Sequence, residues 1–104
     1  MSERIEKLTS FLQSTPGDSF LKHALALEYI KLGEEEEARK LFLELLTSDP
    51  GYSGSYYHLG KLLERTGDQQ AAINWYERGL SMTRSKGDTH AYNELRAALD
   101  ELAD

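Results

Sequence analysis

The chain has 104 residues, no cysteine, and 18 Asp+Glu against 12 Lys+Arg for a net charge of −6. That length holds one modest core, not two; 39% apolar and 29% charged residues exclude a wholly disordered chain; and the missing thiols exclude a disulfide framework, a thiolate nucleophile and a cysteine-based zinc site. Acids outnumber bases in both halves, ten to six in residues 1–52 and eight to six in 53–104, so no basic face awaits nucleic acid, and a cationic peptide or protein surface fits the charge better.

The first stretch, "MSERIEKLTSFLQSTP", carries Glu3, Arg4, Glu6 and Lys7 where a signal peptide needs an uninterrupted apolar core. No run of about 18 apolar residues follows anywhere, which excludes a membrane-spanning helix on that criterion, and a cytoplasmic protein is expected. A helix over about residues 2–14 is predicted, with Leu8 and Leu12 on its apolar side. In "SFLKHALALEYIKLG", Phe20, Leu21, Ala24, Leu25, Leu27 and Leu32 recur near helical spacing before Gly33, a residue suited to the left-handed stop. In "EEEEARKLFLELLTSDP" a second stripe, Ala38, Leu41, Phe42, Leu45 and Leu46, closes at Asp49-Pro50, because the residue before proline avoids the helical region. The four glutamates read as a turn and a first helical turn. Acids there complement the helix dipole, and Glu35 and Glu36 precede Arg39 and Lys40 by four residues, which predicts i,i+4 pairs.

The next stretch, "SGSYYHLGKLLERTG", carries Tyr56, Leu59, Leu62 and Leu63 before Gly67. It is followed by "DQQAAINWYERGLSM", with Asp68 as N-cap and Ala72, Ile73, Tyr76, Leu80 and Met82 as the stripe. Gly60 and Gly79 fall inside these helices, each at a cost of about 1 kcal/mol against alanine, so close approach of a neighbouring helix is expected at both. Trp75 is expected to be a packing residue. A last helix over about 88–103 carries Ala91, Tyr92, Leu95, Ala98, Leu99 and Leu102 on one stripe.

Shifting the sequence by 34 residues places Leu25 on Leu59, Gly33 on Gly67, Ala38 on Ala72, Phe42 on Tyr76, Leu46 on Leu80 and Pro16 on Pro50. Self-similarity at a fixed period is the mark of a repeat architecture. The first unit has Lys22-x2-Leu25-Ala26-x2-Tyr29, then Ala38-x3-Phe42 and Pro50; the second has Tyr56-x2-Leu59-Gly60-x2-Leu63, then Ala72-x3-Tyr76. These motifs resemble the tetratricopeptide repeat, with Lys22 standing where an aromatic is usual and Arg84 where a second proline is usual. The resemblance implies an all-α fold, a right-handed α-solenoid of antiparallel helix pairs with about six helices. It divides a single domain, 1–104, into an N-terminal half-repeat helix (2–14), repeats at 19–52 and 53–86, and a C-terminal capping helix (88–103).

The same resemblance implies a concave groove lined by the first helix of each unit, with Phe20, His23, Leu27, Ile30 and Lys31 from the first and Tyr57, Lys61, Glu64 and Arg65 from the second. A peptide or helix of a partner protein, cationic or amphipathic, suits that mixed lining. The carboxylate clamp of chaperone-binding members would need His23, Leu27, Lys61, Asp88 and Tyr92; only Lys61 is cationic at neutral pH and Asp88 has the wrong sign, so that subtype is disfavoured. No cofactor is expected. His23, His58 and His90 share no ligand spacing, so no metal is expected, and no nucleophile elbow or phosphate-binding glycine loop supports catalysis. The expected function is a non-catalytic protein-interaction module. The alternative is a homo-oligomeric adaptor, a homodimer for instance, whose exposed faces join copies to one another.

Overall fold

A computed structural model describes residues 2–103, with the side chain of Ala103 left aside. Met1 and Asp104, the ends of the expected domain, lie outside the described residues. Six helices follow in order: α1 Glu3–Ser14, α2 Ser19–Lys31, α3 Glu35–Ser48, α4 Gly54–Arg65, α5 Gln69–Lys86 and α6 Thr89–Ala103, and no strand occurs among the described residues. They divide into two compact units, one ending at Asp49 and one beginning at Pro50.

In the first unit α1 and α3 both pack against α2. Ser2 begins α1 by accepting the N–H groups of Arg4 and Ile5, and Asp18 begins α2 by accepting that of Leu21 at 3.0 Å, so each helix start has a side-chain cap. Ile5, Leu8, Ala24 and Leu25 form a buried cluster on which Leu12, Leu21, Tyr29 and Leu41 rest. Deeper in α3, Ala38, Phe42, Leu45 and Leu46 are fully packed. Gly33 takes φ +78° at the α2–α3 turn, a conformation that side chains other than glycine's rarely adopt. The ends of the hairpin are tied by Ser19, whose hydroxyl donates to the Asp49 carboxylate at 2.6 Å.

Three details of this unit go beyond what spacing shows. In "EEEE", Glu36 pairs with Arg39 and Glu37 with Lys40 at i,i+3 spacing, and Lys40 also acts on Glu36 at the expected i,i+4. The Arg39 guanidinium reaches both Glu36 carboxylate oxygens, and this holds Glu36 below the usual carboxylate range. Secondly, Phe20 and Leu32, both on the apolar period of α2, stand 64% and 52% exposed, Phe20 being also one of the residues expected to line the groove. The buried positions of α2 are Lys22, Ala24, Leu25 and Ala26, on a helix against which both α1 and α3 pack. Thirdly, Lys22 keeps the place of the usual aromatic as a buried stem whose ammonium reaches Glu44 at 3.5 Å.

In the second unit α4 packs on α5, and α6 packs on both. Tyr56, Leu59, Leu62 and Leu63 of α4 face Ala72 and Tyr76 of α5, all buried, while Ile73, Leu80 and Met82 are half-buried. The close approach expected at the two helical glycines is present. A methyl group on Gly60 would collide with the Tyr76 ring, and one on Gly79 would lie 2.8 Å from both Leu95 Cδ1 and Tyr56 Cβ. Asp68 caps α5 by accepting the Ala71 N–H at 3.1 Å. Since Arg84 stands where the repeat would place a proline, α5 runs on to 18 residues against 14 for α3, and Gly87 at φ +72° stops it. The extra turn is used: Lys86 Nζ donates to the Gly51 carbonyl at 2.6 Å, beside Pro50, whose own carbonyl accepts the Tyr56 hydroxyl at 2.5 Å.

Candidate functional site

The residues expected to meet a partner fall on one face of α2 and one face of α4. At about 3.6 residues per turn, Phe20, His23, Leu27, Ile30 and Lys31 lie within an arc of about 100°, and Tyr57, Lys61, Glu64 and Arg65 within a similar arc. On α2, Phe20 is open and Leu27 and Ile30 are half-buried. His23 is more enclosed than a free groove residue: its ring meets the buried Phe42 edge-on at 5.7 Å, which fixes its orientation. Lys31 is exposed, yet its ammonium lies 3.0 Å from Glu28 Oε2, an oxygen that also receives Arg4 Nε from α1 at 3.5 Å. Glu28, which the sequence reading passed over, therefore gathers the two cations flanking the apolar strip.

The α4 face is a polar network. Lys61 Nζ sits 5.8 Å from the centre of the Tyr57 ring and 3.8 Å from Glu64 Oε2. The hydroxyl of Tyr76, on α5, donates to that same Glu64 oxygen. Burial, with the Glu64 hydrogen bond second, pushes the Tyr76 phenol far above its ordinary range, so it stays a proton donor at any working pH. Tyr57 in turn meets His58 edge-on at 5.6 Å. Tyr57, Lys61 and Glu64 are thus held in place by their neighbours, while Arg65 is exposed at the end of the helix.

Two clamp-type positions are otherwise engaged. Asp88 caps α6 by accepting the Ala91 N–H at 3.1 Å, and Tyr92 accepts a hydrogen bond from the Arg84 guanidinium at 2.8 Å, which holds its phenol below the usual range. Trp75 is half-buried, with Tyr56 at 6.1 Å on one side and the Arg78 guanidinium stacked 4.1 Å from its ring on the other, a packing role as expected. Among the described residues no group of three or more His, Asp or Glu side chains is arranged to hold a metal ion, and no helix is long and apolar enough to cross a membrane.

Comparison with known families matches residues 21–52 and 53–86 to the tetratricopeptide repeat. The chain belongs to the tetratricopeptide repeat family. It is similar to a tetratricopeptide repeat domain protein from Salinibacter ruber, seen in a crystal structure, at 40% identity over 81% of this chain and 93% of that one, with a TM-score of 0.78. A protein from Bordetella parapertussis, known from a solution structure, is 30% identical over 99% of this chain and 90% of that one, with a TM-score of 0.84. The crystal structure of MamA, 18% identical over 95% of this chain and 68% of its own, matches in fold alone with a TM-score of 0.71. No match was found among curated proteins. These likenesses put the fold in the all-α, tetratricopeptide-type solenoid class. Tetratricopeptide repeats generally mediate contacts between proteins and are generally non-catalytic.

Proposed function

We propose that this tetratricopeptide protein is a non-catalytic interaction module, a single domain spanning 1–104, that grips a peptide or helix of a partner protein with the first-helix faces of its two repeats. Phe20, Leu27 and Ile30 supply the apolar anchor points beside His23 and Lys31, and Tyr57, Lys61 and Glu64 the oriented polar ones beside Arg65. The observation that carries this reading is the exposure of Phe20, 64%, on a helix whose packed side is already filled by Ala24, Leu25 and Ala26. Such a ring adds nothing to the core, and aromatic side chains are the commonest anchors of protein interfaces. The prearranged network around Glu64 suits the directional part of recognition, since groups already ordered lose little freedom when a ligand binds. A cationic or amphipathic segment fits the acidic chain best, and a cytoplasmic setting belongs to the same proposal.

The test is capture of partners from source-cell lysate by the wild-type protein beside Phe20→Asp, Leu27→Asp and Tyr57→Ala, each checked for helicity by circular dichroism. Partners lost in all three variants at unchanged helicity support the reading. Partners retained by all three end it. Self-assembly is the second reading, favoured by Phe11 on α1, 58% exposed. Light scattering decides it: a monomer over a wide concentration range removes that reading, and a dimer that Phe11→Ser dissociates establishes it.

A further inference from the structure

Around the turn from α2 into α3 lies a concavity of about 820 Å³ lined by Ser2, Tyr29, Leu32, Glu34 and Glu37. A lone exposed leucine is ordinary on a protein surface. Leu32 differs in what its place in the repeat demands. Its counterpart 34 residues on is Thr66, whose hydroxyl donates to the Leu62 carbonyl at 3.0 Å and helps close α4. Leu32 closes α2 through its backbone N–H alone, shared between the carbonyls of Glu28 at 3.2 Å and Tyr29 at 3.1 Å. Its isobutyl group does nothing for the turn and, with the half-buried Tyr29 ring, gives the concavity an apolar lining.

The charged part of the lining is Glu34 and Glu37. Glu34 begins α3 without any side-chain cap bond, and Glu37 has only a long, solvent-screened contact of 3.9 Å with Lys40. The cations at the start of α1 and the end of α2, Arg4 and Lys31, are both drawn to Glu28. Neighbouring Glu36 is gripped by Arg39. Apolar surface and two weakly compensated carboxylates therefore share one hollow, in a chain of net charge −6.

We propose that this hollow docks a basic amphipathic segment of a partner protein. An apolar side chain of the segment rests on Leu32 and Tyr29, and a lysine or arginine lays its aliphatic stem along the same surface with its head against Glu34 and Glu37. The site uses none of the nine first-helix residues, so it stands or falls apart from the function proposed above.

The experiment is an NMR titration of ¹⁵N-labelled protein with a synthetic helical peptide of leucine and lysine, and with its leucine and glutamate counterpart. The lysine peptide is expected to shift the amides of residues 29–37 saturably and the glutamate peptide to leave them in place. Leu32→Thr, which installs the second repeat's own residue, and the pair Glu34→Gln with Glu37→Gln are each expected to weaken binding about tenfold. The pair Glu77→Gln with Glu101→Gln removes equal charge from the second unit and is expected to change nothing. Equal weakening by both glutamine pairs would reduce the effect to bulk attraction and overturn the site. So would shifts scattered over the surface, or the same amides moving with protein concentration alone, which would make the occupant a second copy. Phe20→Asp is expected to keep the full response, so a failure here is distinguishable from a failure of the first-helix faces.

Discussion

The two repeats share one 34-residue frame and fill it with different volumes. In the second unit the bulk stands on one helix and the vacancy on the other: Tyr76 lies over Gly60, and Tyr56 over Gly79. At the same register the first unit has Phe42 with Ala26 and Lys22 with Leu45, all buried, so smaller or more flexible groups meet larger partners. The sum of volumes across the pair matters more than either residue alone. The units differ outside as well. Among the described residues the large apolar side chains that stand exposed, Phe11, Phe20 and Leu32, belong to the first unit, so one unit has its large apolar groups drawn into packing while the other leaves three open.

Substitution at the paired glycine is the most severe way to break this comparison. Gly60→Ala is expected to destabilise the protein by about 2 kcal/mol in urea unfolding, although alanine is the better helix former by about 1 kcal/mol, because the Tyr76 ring occupies the space. The reverse change at the matching place, Ala26→Gly, is expected to cost about 1 kcal/mol through backbone freedom. A stabilised Gly60→Ala protein would show that the glycine is not required by packing. Next in size, Tyr76→Phe removes the donor to Glu64 and is expected to cost about 1 kcal/mol; by freeing Glu64 it should also alter binding at the α4 face, whereas a loss of stability with binding intact would leave the network a purely structural one.

A smaller effect follows from His58. Burial holds its pKa below 6.5, with Arg65 acting in the same direction and Glu94 against it. The unfolded chain then takes up the proton more readily than the folded one. The His58 contribution to stability is complete above pH 6.5 and drains away as the pH falls through the lowered folded value. Urea midpoints of wild type and His58→Gln, compared between neutral and mildly acid solution, should converge as the pH falls; parallel curves would contradict the assignment. Smallest of all, Phe11→Ser and Phe20→Ser are expected to move stability by no more than about 0.5 kcal/mol, since neither ring is packed. A loss several times larger in either variant would mean that the ring belongs to the core after all.

Helix order was legible because its punctuation is local. Gly33 and Gly67 stop their helices at φ +78° and +90°, Asp68 caps the next, and Asp49-Pro50 closes the first hairpin, all as the residues require. The glycine contacts were legible too, since a glycine inside a helix costs stability unless something needs the space. Side-chain exposure was not. Leu32 carries the period of the packed stripe yet stands exposed, and Phe20 fits that period and the expected groove at once, which spacing alone does not resolve. Nor does spacing reveal that Glu28 gathers both Arg4 and Lys31, because the first of these comes from another helix. In the acidic run the expected i,i+4 spacing is joined by an i,i+3 one, in which Arg39 grips both Glu36 oxygens while Lys40 also acts on Glu36.

Trp75, wedged between Tyr56 and Arg78, is the chain's sole tryptophan and lies in the second unit. Its emission therefore reports the melting of one repeat, while far-ultraviolet dichroism reports all six helices together. Superimposable transitions from the two signals would describe a chain that melts in one cooperative step. Separated ones would describe a tight half that outlasts a looser, stickier half, with the unfolding of the first repeat optically silent in the tryptophan channel.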